Sequence, residues 1–271
     1  MDDASAAVKI DLKNMLVKDH IQRERPYTYN EHNELILPEG RNPLKPILDS
    51  LQRFTETQGM LINQKKTKIL SFNPTKNYNY PPEVGFGNQN LEVVNVARIL
   101  GILVSDDLKW HQNTEFIVKK AKSRIWTLRR LKHLGFDNTF ILDVYFKEIR
   151  SVLEFSVPVW NGALTESDSD KIEKIQKSVL KILLQHLYVS YTEACEHFKI
   201  TSLKERRRML CLNFAMKEFS KKESLFTKFI PKFASRNSEN KIVEEFHCYS
   251  DRYFQSSLPY LARLLNKNSH I

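Results

Sequence analysis

Two adjacent carboxylates, Asp2 and Asp3, stand directly before a small-to-apolar run, Ala4-Ser5-Ala6-Ala7-Val8-Lys9-Ile10. Paired aspartates at the tip between two strands can hold Mg²⁺ for phosphoryl or nucleotidyl transfer. An Asp-Asp pair is also a common solvated turn, so the chemistry depends on what else the chain places around it. A second candidate is Lys66, in the run Asn63-Gln64-Lys65-Lys66-Thr67-Lys68. By itself that run reads as a solvated hairpin turn. A third is a stretch rich in cations: Lys119, Lys120, Lys122, Arg124, Arg129, Arg130 and Lys132, with no acid between 119 and 132. At about 100° per residue, Lys119, Lys122, Trp126, Arg129 and Arg130 share one face of a helix. A basic face carrying one aromatic ring suits phosphate contact plus base stacking. A solvated helix face, with Trp126 packed on a neighbour, is the alternative. Lys204 with Arg206, Arg207 and Arg208 forms a second basic run, which suits phosphate contact, a nuclear signal or simply a charged helix face.

The elements that position these residues follow from periodicity. Residues 4–10 read as a short strand. The polar stretch 18–43, with Pro26, Pro38, Gly40 and Pro43, reads as an irregular connection. Leu44, Ile47, Leu48, Leu51 and Phe54 line one face of a helix that Gly59 stops. Residues 60–63 and 68–72 read as short strands, 73–90 as a loop, and 91–104 as strand or strand-turn-strand broken at Gly101. A helix over 112–134 has Ile117, Ala121, Ile125, Leu128 and Leu131 as its apolar stripe, opposite the basic face. A second helix starts at Asn138. Thr165 and Asp168 match a capping box for a third, with Ile172, Ile175, Val179 and Ile182 at helical spacing. A fourth starts near Ser202. Phe155, Val157, Val159 and Trp160 read as core, and Glu154 as a packing or capping residue. His111, His133, His186 and His197 stand without partners at ligand spacing. The fold class is therefore α+β: a small α/β part over 1–105, an all-helical part over 106–233, and a C-terminal tail over 234–271.

The chain has 271 residues, is 41% hydrophobic and carries a formal net charge of +10, a globular composition with a bias towards polyanionic partners. Three scattered cysteines indicate neither a disulfide framework nor a zinc site, which fits a reduced intracellular compartment, nucleus or cytoplasm. No apolar run reaches membrane-spanning length.

The order of these signals carries further information. Asp2-Asp3 plus strand is followed by an amphipathic helix and by Gly59-Met60-Leu61-Ile62-Asn63-Gln64-Lys65-Lys66-Thr67. Then come Ala97-Arg98-Ile99-Leu100-Gly101-Ile102, the stretch Ile149-Arg150-Ser151-Val152-Leu153-Glu154-Phe155-Ser156-Val157-Pro158-Val159-Trp160, and the basic third helix. This series resembles the C-terminal half of the reverse transcriptase of LINE-type (non-LTR, jockey-like) retrotransposons, over roughly residues 1–265. The resemblance implies a partial palm followed by a helical thumb, and RNA-directed DNA polymerisation with Mg²⁺ in the parent enzyme. Asp2 and Asp3 match the metal motif, Lys66 the lysine near the incoming triphosphate, and Leu100 and Gly101 the primer grip. Lys119–Lys132 and Lys171–Lys181 fall in the thumb, which holds RNA/DNA template-primer. The family's aromatic residue before the Asp pair, its further upstream Asp and its fingers have no match in the chain. The expectation is an incomplete Mg²⁺ site, vestigial carboxylates, no catalysis by the chain alone, and retained nucleic-acid binding, with the N-terminal half of the polymerase as a further partner. Two alternatives are a stand-alone basic helical module that binds nucleic acid, and an intracellular helical interaction scaffold.

Overall fold

A computed structural model describes residues 28–29, 35–36, 45–72, 85–86, 89–221, 243 and 245–268. Asp2 and Asp3, the strand expected over 4–10 and most of the connection expected over 18–43 lie outside them. The described residues form a mixed structure of helices and small sheets, an α+β composition, and divide into two units: 1–67 with 73–92, and 68–72 with 93–271. None of the described helices is long and apolar enough to cross a membrane.

In the first unit, strands β1 (Thr28–Tyr29) and β2 (Leu35–Ile36) pair antiparallel, as do β4 (Gly85–Phe86) and β5 (Gln89–Asn90). Helix α1 (Lys45–Thr57) packs on β4, whose Phe86 is buried. Gly59 follows the helix in a left-handed conformation. Residues 60–63 do not form the expected strand. Instead Asn63 caps a single 3₁₀ turn, Gln64–Lys66, its side-chain oxygen accepting the Lys66 N–H at 3.2 Å. An Asx cap competes with extended backbone here, so Lys65 and Lys66 sit on a capped turn rather than on a hairpin.

The second unit opens with β3 (Lys68–Ile69), and the chain re-enters it along β6 (Glu92–Val93). Strands β7 (Val96–Ile99) and β8 (Ile102–Ser105) pair in a hairpin with Ile99 opposite Ile102. Its two loop residues, Leu100 and Gly101, have φ of 48° and 90°. Two consecutive positive φ values give a turn whose twist matches the flanking strands, and glycine meets this conformation at no steric cost. Helices follow: α2 (His111–His133), then α3, which runs from Asn138–Val144 through a π-helical turn at Tyr145–Arg150 and returns to α over Ser151–Leu153. The short α4 (Val157–Trp160) leads to α5 (Glu166–Leu184), α6 (Tyr191–His197) and α7 (Leu203–Phe219). The C-terminal segment adds α8 (Asp251–Gln255) and α9 (Ser257–Lys267), which pack into this same unit.

Local chemistry sets the helix starts. Thr165 accepts the Asp168 N–H at 3.1 Å, and Ser202 accepts the Glu205 N–H at 3.2 Å. Each cap satisfies a donor that the first helical turn leaves open. The core is one cluster drawn from α2 to α9. The predicted α2 stripe enters it: Ile117, Ala121, Ile125 and Leu128 are buried, as are Ile172, Ile175 and Val179 of α5. Val157 and Trp160 join them, but Phe155 and Val159 do not. Both are exposed, because Ser156 takes a left-handed conformation between α3 and α4 and resets which faces turn inward.

At Gly162, after α4, the C-terminal helices close onto the bundle. A Cβ there would lie 2.7 Å from Cβ of Tyr260 and 2.8 Å from the carbonyl oxygen of Gln255. Because one obstacle is backbone, the methyl group forces a shift of α8 or α9. Gly162→Ala is expected to lower unfolding stability by about 1–3 kcal/mol, read from urea denaturation. Unchanged stability would mean that α8 and α9 do not dock against this turn.

Candidate nucleic-acid interface

Helix α2 is held on three sides. Its apolar stripe packs on α5. Near its start the buried Asn113 accepts the Leu103 N–H at 3.2 Å and so ties the hairpin to the helix. At its first residue, His111 Nδ1 stands 2.9 Å from Asp168 on α5, and Lys171 donates to the same carboxylate at 3.1 Å. Sequence reading left His111 without a partner. Its partner lies 57 positions away, while Glu115, one turn on, meets its Nε2 at 3.0 Å. Burial raises the pKa of Asp168, but hydrogen bonds from His111, Lys171 and Thr165 outweigh that and hold it below the ordinary value.

The opposite face of α2 carries the cations. Lys119, Lys120, Lys122, Arg129 and Arg130 are all exposed. Lys119, Lys120, Lys122 and Arg129 make no ion pair among the described residues. Trp126 is not packed on a neighbour: it is 65% exposed, and the Arg130 guanidinium stands 6.0 Å from its ring centre. The remaining cations of the stretch are engaged. Arg124 donates to the Glu148 carbonyl and pairs with its carboxylate at 3.3 Å, and Lys132 donates to Asn138 at 2.6 Å. From Lys119 to Arg130 the helix rises about 16 Å, and over that length one strand of a B-form duplex presents about five phosphates. The spacing of the cationic face therefore fits a phosphate backbone.

Most cations of the other basic stretches are spent within the fold, Lys174 on α5 excepted. On α5, Lys171 bridges to α2, while Lys177 and Lys181 stand 5.1 and 5.3 Å over the Tyr191 and Tyr188 rings. On α7, Lys204 pairs with Glu166, Arg206 with Glu154, and Arg208 with Glu205. Arg207 is core: 1% exposed, with Nε donating to Asn161 at 3.1 Å and Nη2 to Ser169 at 2.7 Å. The run 204–208 is thus largely a fastening between α7 and its neighbours. No signal in the sequence separates Arg207 from the arginines beside it.

At the hairpin tip Leu100 is 78% exposed, and the Phe155 ring lies 3.2 Å from where a Cβ on Gly101 would stand. This turn and α2 belong to one unit and are joined through Asn113. Lys66 lies in the first unit, exposed on its 3₁₀ turn. Asp2 and Asp3, named for Mg²⁺, lie outside the described residues, so the structure places no metal geometry around them. Among the described residues, no group of three His, Cys, Asp or Glu side chains is arranged to hold a metal ion. The thiols of Cys195 and Cys211 are buried and raised in pKa by that burial, Cys211 up to about 12, which makes them poor nucleophiles.

Comparison with known proteins finds no matching family model, no matching curated protein and no matching solved structure.

The clamp at His111 has a measurable pH signature. A carboxylate whose folded pKa is depressed contributes stability above its unfolded value, and loses it as pH falls through the folded one. The loss for Asp168 belongs to the range from about pH 4 downwards. Asp168→Asn removes the titration, so its stability, though lower at pH 7, is expected to fall less steeply on acidification than that of the parent chain. Equal slopes below about pH 4 in pH-dependent chemical denaturation would remove Asp168 from the clamp.

Proposed function

We propose that the helical unit binds nucleic acid through the exposed face of α2. One observation carries this reading. Lys119, Lys120, Lys122 and Arg129 make no ion pair among the described residues, and they flank a tryptophan left 65% exposed. Elsewhere in the unit, most cations on α5 and α7 are committed to carboxylates, aromatic rings or the core, Lys174 and Lys217 being single exceptions rather than a cluster. Phosphate neutralisation by free Lys and Arg releases counterions, and an exposed indole offers a stacking platform with a worth of about 1–3 kcal/mol per base.

The ordered motifs extend the proposal. On the resemblance to non-LTR reverse transcriptases, the nucleic acid is an RNA/DNA template-primer, the α2 to α9 unit is the thumb, and the Leu100–Gly101 turn is the primer grip. The first unit is then a partial palm, with Lys66 near the incoming triphosphate. Support for this comes from the motif order, from the tight left-handed turn at Leu100 and Gly101, and from the tie that Asn113 makes between that turn and α2. Mg²⁺ bound by Asp2 and Asp3 would supply nucleotidyl transfer. The described residues contribute binding and orientation, and we propose no catalysis by this chain alone.

Fluorescence anisotropy with an RNA/DNA hybrid hairpin across a salt series tests the binding. The triple charge reversal Lys119→Glu, Lys122→Glu, Arg129→Glu is expected to reduce the slope of log K against log salt by about 2–3, with the far-ultraviolet spectrum unchanged. A slope unaltered by the reversal would refute the α2 interface. Equal affinity for hybrid, duplex DNA and single strands would favour a general nucleic-acid-binding module over a template-primer thumb. Primer extension by the purified chain, abolished by Asp2→Ala, would overturn the absence of catalysis.

A further inference from the structure

The cations of α2 select a polyanion, and the tryptophan set among them narrows the choice. Of the three tryptophans, Trp160 is 1% exposed, Trp110 is half-buried and Trp126 is 65% exposed. Lys122, Trp126 and Arg130 recur at a spacing of four and so form one ridge of the helix. The two cations each stand about 6 Å along the axis from the indole. The Arg130 guanidinium is 6.0 Å from the ring centre, at the outer edge of cation–π range, and leaves most of the indole open to solvent.

A base inside a duplex has its faces covered by its neighbours and presents only its edges in the grooves. An indole meets a face there only if the duplex is unstacked, which is costly. An unpaired base has a free face, and stacking it on an aromatic ring is how single strands are commonly held. A ridge of cation, indole and cation therefore fits a strand whose phosphates pass over Lys122 and Arg130 while a base turns onto Trp126.

The exposed surface continues past the end of α2, through His133, Leu134, Gly135 and Phe136. Gly135 turns the chain with φ of 84°, and nothing lies within 4 Å of where its Cβ would stand, so the turn is open. Here Phe136 and Phe140 stack on each other, with ring centres 5.0 Å apart and planes 24° from parallel. Both nevertheless remain 43% and 45% exposed. The carboxylate of this turn, Asp137, is occupied in capping α3, where it accepts the Phe140 N–H at 2.7 Å. From Trp126 to the helix end at His133 the rise is about 10 Å, the length of about three stacked nucleotides.

We propose that the α2 surface takes a single-stranded segment of nucleic acid, with Trp126 stacking one unpaired base and the Phe136–Phe140 pair stacking another about three nucleotides further on. This rests on the α2 reading above. It names the unpaired stretch of a template-primer, rather than its paired stem, as the part that α2 holds.

The test uses the full chain and two labelled RNA/DNA hybrid hairpins, each with a single-stranded extension of about ten nucleotides. One extension carries bases and the other is abasic, so both present the same phosphates. At equal salt the base-bearing probe is expected to bind about tenfold more tightly. Trp126→Ala is expected to remove most of that ratio, and Trp126→Phe to keep most of it. The double variant Phe136→Ala, Phe140→Ala is expected to cut it about threefold. All three side chains are exposed, so the far-ultraviolet spectrum is expected to stay unchanged, and no cation is lost, so the salt slope stays as well. Equal binding of the two probes by the unmodified chain overturns the proposal, as does a ratio unchanged in Trp126→Ala or in the double variant. Self-association that the double variant abolishes, with the ratio intact, gives the aromatic tip to a second copy and likewise overturns it. A salt slope insensitive to the Lys119, Lys122, Arg129 reversal refutes the α2 interface as a whole. A slope that responds to the reversal, without any dependence on bases, refutes the single-strand assignment alone.

Discussion

The helical unit depends on a buried polar knot on α5. Gln176 is 1% exposed and uses both ends of its amide. Its oxygen accepts from Tyr145 at 2.7 Å, and its nitrogen donates to the Tyr191 hydroxyl and to the Thr201 carbonyl, each at 2.9 Å. One helical turn away, Glu173 accepts the first N–H groups of α7 from Leu203 and Lys204 at 2.9 and 3.0 Å, and the Tyr191 hydroxyl as well. Two side chains thereby join α3, α5, α6 and α7. Such a network specifies one arrangement because a partial set of these bonds leaves buried groups unpaired. Apolar packing alone tolerates sliding of one helix along another, whereas these directional bonds do not.

Around that knot the charges divide into two populations. Most cations on α5 and α7 are met by Glu154, Glu166, Asp168 and Glu205 or by aromatic rings, and several of these contacts fasten helices together. Those on the outer face of α2 are left unmatched, though α2 itself is anchored at its start by His111 and Asn113. A rigid mount beneath an uncompensated face is what recognition of a charged polymer requires, since little ordering remains to be done on binding.

The legible parts of this structure are the local ones. Thr165 and Ser202 announce their caps, Gly59 and Gly135 follow their helices, and the apolar stripe of α2 is buried as its spacing predicts. The illegible parts depend on the tertiary fold. Arg207 sits in a run of cations that reads as a solvated face, and only docking of α4, α5 and α9 around it makes it core. His111 meets Asp168 across 57 positions. Phe155 and Val159 alternate with Val157 in a pattern that reads as core, yet one left-handed serine between α3 and α4 turns them outward. The π-helical turn at Tyr145–Arg150 likewise has no periodic signature, because one widened turn is too short to disturb the apolar repeat.

The uncompensated face of α2 has a consequence for the chain when nothing is bound. Lys119 and Lys122 lie one turn apart, as do Arg129 and Lys132, so the helix carries like charges at spacings where they repel. The folded state thus holds electrostatic self-repulsion that counterions relieve. Added salt should then strengthen the unliganded fold, and on the binding proposed for α2 it should weaken the hold on a polyanion. On that proposal the same cations set two ionic responses of opposite sign, and a polyanion becomes, in effect, a folding cofactor for α2.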